Sequence, residues 1–161
     1  MPRLSEFEVG MYWSNGYAVP NYRVPEETMN RLELALEETL RANPNVRPEQ
    51  LAAVHTPQAD ANDTKGHATF LDVALDIDLV ELVSGVIGDN IIMWRAQLFC
   101  KPGSGRMEVP MHQDGQYWPI RPLATFTLWL AIDLSDTKNG CLQVITGSHN
   151  KKIHYQHRTE R

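Results

Sequence analysis

Apolar residues recur at helical spacing near the start of the chain. Pro25, Glu26 and Glu27 are typical of a helix start, since proline is preorganised for the first turn and acidic side chains favour the positive end of the helix dipole. Asn43 and Pro44 predict its end. The apolar side chains between them lie three or four positions apart: Met29, Leu32, Leu36 and Leu40.

The rest of the first ninety residues predicts three further segments. Gly16 to Val19 resembles a short entry strand, and residues 43–66, rich in Pro, Asn, Asp and Ala, predict a long loop. A second helix is predicted from about Asp76 to Ile87, with Gly88 as its stop signal. Residues 1–90 are therefore expected to form helical support and an entry loop.

Beyond residue 90 the hydrophobic period changes from helical spacing to two. Residues 91–100, 125–134 and 141–145 are strand candidates, and the second of them alternates most clearly. Helices followed by strands predict an α+β fold, a β-sandwich or jelly roll supported by N-terminal helices. We expect one domain over residues 1–161, in which residues 91–161 form the first part of the jelly roll.

Composition and charge exclude several classes of function. The formal net charge is −5 and the basic residues are scattered, so the chain lacks the basic patch of a nucleic-acid-binding protein. A small molecule is the expected partner. No signal peptide and no apolar run of about 20 residues is present, and Cys100 and Cys141 lie in apolar runs. We therefore expect no membrane association and a reducing, cytoplasmic location, with the oligomeric state open.

The candidate chemistry lies in the segment Met111-His112-Gln113-Asp114. On an extended backbone, side chains two positions apart project from the same face, so His112 and Asp114 could bind one metal ion. A third ligand would complete a facial triad, which leaves coordination positions open on iron(II). Taken alone the tripeptide is a weak signal, because a surface histidine near a turn aspartate gives the same pattern.

Six short motifs in order strengthen the signal. They are Lys101-Pro102-Gly103, Met111-His112-Gln113-Asp114, Tyr117-Trp118-Pro119 with Arg121-Pro122, Leu128 to Asp133, Asn139-Gly140-Cys141-Leu142, and Gly147-Ser148-His149. Together they resemble the phytanoyl-CoA dioxygenase family of iron(II)- and 2-oxoglutarate-dependent oxygenases. The specific match covers residues 91–150.

The resemblance implies a double-stranded β-helix with His112 and Asp114 as iron ligands, and Fe(II), 2-oxoglutarate and O2 as cofactor and co-substrates. By position, Gln97 and Trp129 fall where the family contacts 2-oxoglutarate, although core packing explains Trp129 equally well. Asp114 favours hydroxylation, because halogenating relatives replace this carboxylate with a small residue.

The family's second iron-binding histidine and its 2-oxoglutarate-binding arginine lie further downstream than Arg161. The remaining histidines, His149, His154 and His157, are poor substitutes. His149 belongs to a motif that does not bind iron in the family, and the other two lie in a polar tail expected to be mobile. We therefore expect a chain that lacks C-terminal strands and is inactive alone.

Tyr117, Trp118 and Arg121 could line a substrate pocket, although aromatic residues after a turn are also common in cores. His55 and His67 are expected to be solvated loop histidines. The favoured function is a dioxygenase that hydroxylates a small molecule and converts 2-oxoglutarate to succinate. The alternatives are a non-catalytic jelly-roll binding module with an incomplete metal site, and a cupin-like site for zinc or another metal without 2-oxoglutarate.

Overall fold

A computed structural model describes residues 3–58, 64–103, 108–122 and 125–157. These residues contain four α-helices and three short 3₁₀ helices. The α-helices are α1 (Glu6–Asn15), α2 (Glu26–Ala42), α3 (Ala68–Ala74) and α4 (Ile77–Ile87). The 3₁₀ helices are Pro48–Gln50, Asp114–Gln116 and Ser148–Lys151.

Helix α1 begins with a capping box. The Ser5 hydroxyl accepts a hydrogen bond from the Glu8 backbone N–H, and the Glu8 carboxylate accepts one from the Ser5 N–H at 2.7 Å. The helix ends at Gly16, whose φ of +88° lies in the left-handed region that glycine adopts without strain. The entry strand predicted at Gly16 is therefore wrong, because this residue terminates a helix.

Helix α2 confirms the helix predicted behind Pro25. Its buried face includes Leu32 and Ala35. The helix ends at Asn43, as predicted, and the Asn43 carboxamide is itself buried. Its Nδ2 donates to the carbonyls of Thr39 and Lys65 at 2.8 and 2.7 Å, and its Oδ1 accepts from the Lys65 N–H at 2.8 Å. One side chain thereby caps the helix and holds a distant part of the chain.

The segment predicted as a long loop supplies the centre of the core. Leu51 and Val54, which follow the first 3₁₀ helix, are 0% and 1% exposed. Residues 59–63 of the predicted loop lie outside the described residues. After them the chain forms α3, which was not predicted, and then α4, which confirms the helix from Asp76 to Ile87 with Asp76 as its N-cap.

The core joins residues of the first ninety positions to residues of the C-terminal part, beyond residue 90. Its buried members come from α2, α3, α4, the segment after the first 3₁₀ helix, and one residue of the C-terminal part: Leu32, Ala35, Leu51, Val54, Phe70, Val73, Leu79, Leu82 and Leu98. Leu130 and Ile132 pack against this cluster and are partly buried. The C-terminal part is therefore attached to the helices by apolar contacts as well as by chain continuity.

The predicted double-stranded β-helix, or jelly roll, is not present in the described residues, so the α+β prediction is wrong for this part of the chain. Residues 91–100, 125–134 and 141–145 form no strand there. A single isolated antiparallel bridge joins Ala52 and Gln97. Alternating hydrophobicity indicates which faces a strand would present, but a strand also needs a neighbour to complete a ladder of hydrogen bonds.

The backbone of residues 96–98 bonds instead to the segment after the first 3₁₀ helix. The Leu98 N–H donates to the Leu51 carbonyl at 3.0 Å, and the Ala96 N–H donates to His55 Nδ1 at 3.3 Å. Other apolar side chains in the predicted strands remain exposed; Ile92 and Leu134 are 91% and 81% exposed. The strands predicted from this pattern are therefore wrong for the described residues.

The Gly-Ser-His motif docks on the C-terminal end of α1. The Gly147 N–H donates to the Asn15 carbonyl at 2.8 Å, His149 Nε2 donates to the Trp13 carbonyl at 2.9 Å, and Asn150 Nδ2 donates to the Ser14 carbonyl at 3.4 Å. These three donors satisfy carbonyls that a helix end leaves without partners. The motif therefore has a structural function in this protein.

Among the described residues, no helix combines the length and the apolar character needed to cross a bilayer.

The contact between α1 and His149 predicts a coupled stability effect at Gly16. A Cβ at Gly16 would lie 2.6 Å from His149 Nδ1, so Gly16→Ala should suffer both left-handed backbone strain, roughly 1–2 kcal/mol, and this clash. His149→Ala alone should cost about 1 kcal/mol for the lost hydrogen bond. Urea denaturation followed by circular dichroism would measure the free energy of unfolding.

In the His149→Ala background, Gly16→Ala should cost less than it does in the unsubstituted protein, because only the backbone strain remains. Equal costs in the two backgrounds would contradict the packing described. His154→Ala is the control for removing an exposed imidazole from the same region.

Candidate metal site

His112 and Asp114 lie at the entry to a short 3₁₀ turn. Gln113 between them has an extended backbone with φ of −118° and ψ of 122°, and Asp114 begins the turn that ends at Gln116. The Tyr117 N–H donates to the Asp114 carbonyl at 2.9 Å and closes the turn. The extended residue directs the His112 and Asp114 side chains to the same side, as the spacing predicted.

The two side chains meet at the surface. His112 Nε2 lies 3.3 Å from Asp114 Oδ1, and the two side chains are 33% and 47% exposed. The other ring nitrogen, Nδ1, lies 2.8 Å from the Pro110 carbonyl oxygen. The imidazole is therefore held from one side by the backbone and faces a carboxylate on the other.

Each ring nitrogen of His112 lies close to an oxygen that only accepts hydrogen bonds. A neutral imidazole has a single N–H, so it can donate either to the Pro110 carbonyl or to the Asp114 carboxylate. When the ring donates to Pro110 through Nδ1, Nε2 presents a lone pair toward Asp114 Oδ1 at 3.3 Å, and a metal ion between these two atoms would bind to both.

The pair fits a divalent metal. Ligand atoms about 2.1 Å from an octahedral ion and at right angles to each other lie about 3.0 Å apart, close to the observed separation. A metal-binding histidine usually donates its second ring N–H to a carbonyl or carboxylate, and the Pro110 carbonyl lies in position to accept from His112 Nδ1. Nitrogen and carboxylate donors together suit iron(II). Two donors are present here, and within the described residues no three or more His, Cys, Asp or Glu side chains come together in an arrangement suited to a metal.

Of the residues predicted to contact substrate, Tyr117 lies next to the pair. Its ring is 63% exposed, and its centroid is 5.9 Å from that of His112 in an edge-on arrangement. Trp118 is half-buried one residue further on. Arg121 Nη1 donates to the carbonyls of Trp118 and Ile120 at 3.2 and 2.7 Å, so the guanidinium folds back on its own loop.

The two residues predicted to contact 2-oxoglutarate lie on other segments. The Gln97 backbone pairs with Ala52, and its side chain is exposed. Trp129 is 45% exposed and so is only partly engaged in packing. No hydrogen bond or ring contact within the described ranges joins either side chain to His112 or Asp114, and their predicted roles stay predictions.

The other histidines have structural partners. His67 Nδ1 accepts from the Thr69 N–H and caps α3, while its Nε2 lies 3.0 Å from a Glu38 carboxylate oxygen. His55 accepts from the backbone of residue 96, as described above. Neither side chain is simply solvated, contrary to our expectation. The contacts of His55 with residue 96 and of His67 with Glu38 could not be predicted, because the partners are distant in the chain, whereas the capping of α3 by His67 is a local signal that was missed.

His157 lies near the pair without joining it. Its Nε2 accepts a hydrogen bond from the Gln113 backbone N–H at 2.9 Å, and the Tyr117 ring contacts both His157 and His112 edge-on. The polar tail expected to be mobile is therefore attached to the turn that carries His112 and Asp114. Gln113 and the tail were not predicted as part of the site, and only the position of Gln113 between two candidate ligands could have indicated it.

Comparisons with known proteins place these features in a family. The chain is 29% identical over 167 residues to the probable phytanoyl-CoA dioxygenase of Caenorhabditis elegans, with 91% of this chain and 53% of the relative aligned. It is 34% identical over 76 residues to the peroxisomal phytanoyl-CoA dioxygenase of Bos taurus, covering 45% of this chain and 23% of that protein.

A third relative has a different named substrate. The probable alpha-ketoglutarate-dependent hypophosphite dioxygenase of Stutzerimonas stutzeri is 34% identical over 80 residues, which cover 50% of this chain and 27% of the relative. All three relatives are named as dioxygenases. The profile of the family described as phytanoyl-CoA dioxygenase (PhyH) matches residues 12–161. The chain belongs to the phytanoyl-CoA dioxygenase family, as the motifs predicted.

The chain spans about half the length of the Caenorhabditis elegans relative and about a quarter of the other two. No solved structure matches it significantly.

Proposed function

We propose that this chain forms part of an Fe(II)- and 2-oxoglutarate-dependent dioxygenase that hydroxylates a small molecule. His112 and Asp114 would be two of the iron ligands. The observation that carries the proposal is the separation of 3.3 Å between His112 Nε2 and Asp114 Oδ1 with Nδ1 anchored on Pro110. Family membership and the name of the Stutzerimonas stutzeri relative support the use of 2-oxoglutarate.

Each residue of the pair would have a separate task. His112 would offer a lone pair in a fixed direction, because the Pro110 carbonyl holds the ring. Asp114 would offer a negative charge, which offsets that of a divalent ion. When bound, iron with 2-oxoglutarate and O2 would supply the oxidising chemistry, with decarboxylation of 2-oxoglutarate to succinate. Tyr117, beside His112 and exposed, would border the substrate.

The substrate class stays broad in this proposal. The relatives are named for phytanoyl-CoA, an acyl thioester, and for hypophosphite, a small inorganic anion. A formal net charge of −5 and the scattered basic residues favour a small molecule over nucleic acid. Asp114 in the position of the metal-binding carboxylate supports hydroxylation.

A second candidate is a non-catalytic module that binds a small molecule. It is favoured by the surface position of the pair and by the presence of only two metal donors in the site that the structure describes. Such a module could bind a metal weakly but would not convert 2-oxoglutarate to succinate. A zinc site without 2-oxoglutarate is the third possibility, and it would bind metal but no 2-oxo acid.

We expect the chain to bind Fe(II) under anaerobic conditions, and its charge-transfer absorption band with 2-oxoglutarate to require His112 and Asp114. His112→Ala and Asp114→Asn should each weaken iron binding by more than the ~10–100-fold typical of outer-shell partners. Affinity should also fall as the pH is lowered, because a proton competes for His112 Nε2. His154→Ala is the control for a histidine that lies in the tail and is exposed.

The absence of an iron-dependent band in the unsubstituted chain would contradict the dioxygenase proposal for this polypeptide. Binding of 2-oxoglutarate that does not require iron would favour the binding module. Iron binding with no response to 2-oxoglutarate would favour the zinc-type site.

Gln97 provides a separate test of the 2-oxoglutarate site. Gln97→Ala should weaken 2-oxoglutarate binding to the iron-loaded chain by about tenfold or more, because a hydrogen bond to a charged group contributes roughly 1.5–3 kcal/mol. Iron affinity measured alone should not change. Gln143→Ala, which removes an exposed carboxamide elsewhere in the C-terminal part, is the matched control. Equal 2-oxoglutarate affinities in both variants would show that Gln97 does not contact 2-oxoglutarate.

A further inference from the structure

Gln113 lies between the two proposed ligands and points away from them. Its backbone is extended, so its side chain projects from the face opposite to those of His112 and Asp114. On that face runs the segment Ile153–His157, named here the tail segment. The side chain of Gln113 and its backbone N–H both bond to it.

Three hydrogen bonds join Gln113 to alternate residues of the tail segment. Gln113 Nε2 donates to the Ile153 carbonyl at 3.1 Å, and Gln113 Oε1 accepts from the Tyr155 N–H at 2.8 Å. The Gln113 backbone N–H donates to His157 Nε2 at 2.9 Å. One residue thereby satisfies a carbonyl, an N–H and an imidazole of a segment about forty positions away.

The chemistry of this contact selects a carboxamide. Along an extended backbone the carbonyl of one residue and the N–H two residues later point to the same edge, where a neighbouring strand would bond to both. Gln and Asn are the side chains that present an acceptor and an N–H donor on one planar group. The Gln113 carboxamide therefore takes the place of the N–H and the carbonyl that one residue of a parallel neighbouring strand would present. A glutamate here could accept from Tyr155 but could not donate to Ile153.

The Tyr117 ring reinforces the contact from the side of the metal-binding turn. Its centroid is 5.9 Å from that of His112 and 6.0 Å from that of His157, edge-on to both. A displacement of the tail segment would remove His157 as a neighbour of Tyr117, and the Tyr117 ring in turn contacts His112. The turn that carries His112 and Asp114 is thus joined to the tail segment in two ways, by the hydrogen bonds of Gln113 and by the edge-on contacts of the Tyr117 ring.

We propose that Gln113 is a positioning residue, which fastens the turn carrying His112 and Asp114 to the tail segment and so fixes the geometry of the pair. The proposal deepens the function proposed above and rests on it for the consequence for iron binding. The attachment itself does not depend on metal. Gln113 touches neither the metal nor the substrate in this assignment and acts through its two neighbours.

The test uses Gln113→Met in the whole chain, because methionine has a similar length and lacks both hydrogen-bonding groups. Gln116→Met is the matched control, since Gln116 has an exposed side chain in the same turn. Amide hydrogen exchange at Tyr155 should accelerate in Gln113→Met alone. Iron(II) affinity should fall about 10–100-fold in that variant, as it does for partners that orient metal ligands. Gln116→Met should change neither quantity.

A midpoint of thermal unfolding close to that of the unsubstituted protein, together with weakened iron binding, would separate positioning from general destabilisation. Faster exchange at Tyr155 with iron affinity unchanged within twofold would overturn the proposal, as would unchanged exchange.

If the unsubstituted chain binds no iron, the proposed function fails, and the environment of the His112 ring then decides the positioning proposal alone. A change in the His112 ring resonances in Gln113→Met and not in Gln116→Met would support positioning, and unchanged resonances would overturn it.

Discussion

The segment that follows the first 3₁₀ helix holds the described structure together. Leu51 and Val54 are almost completely buried among side chains from α2, α3 and α4, and the Leu51 carbonyl accepts the Leu98 N–H. The same few residues thus bury apolar side chains and provide hydrogen-bond partners for buried backbone groups. Gly66 shows how tightly the chain is packed here, because a Cβ at this position would lie 2.1 Å from the Val54 carbonyl oxygen.

At two places a side-chain carboxamide bonds to the backbone N–H and carbonyl of a loop, as a neighbouring strand does in a sheet. Asn43 bonds to both the N–H and the carbonyl of Lys65, and Gln113 bonds to the tail segment in a comparable way. One carboxamide can bond to only one carbonyl and one N–H of the loop in this way. Each contact therefore holds the loop at a single point, whereas a strand would hold it along its length. At the candidate metal site this point is Gln113, which lies between His112 and Asp114, the two proposed metal ligands.

The sequence predicted the parts of this protein that depend on neighbours in the chain. Helices α2 and α4, with Asn43 and Gly88 at their ends, follow from spacing and capping preferences, and the His112 and Asp114 side chains lie together as an extended backbone requires. The predicted strands are not formed in the described residues, because a strand needs a second segment to pair with and the local pattern does not contain that segment. The partners of His55 and His157, and the Glu38 partner of His67, lie far away along the chain, and no local pattern contains them. Family membership was predicted because the ordered motifs carry that information directly.

The contact between the Gly-Ser-His motif and α1 has a consequence for the order of events during synthesis. Helix α1 has no buried residue, and the donors for its last carbonyls come from residues up to 136 positions later. A chain emerging from the ribosome must therefore expose this helix end to water until nearly all of the described residues have been made. Helix α1 is accordingly among the last of the described helices to be completed, because donors to its final carbonyls are synthesised near the end of the described residues.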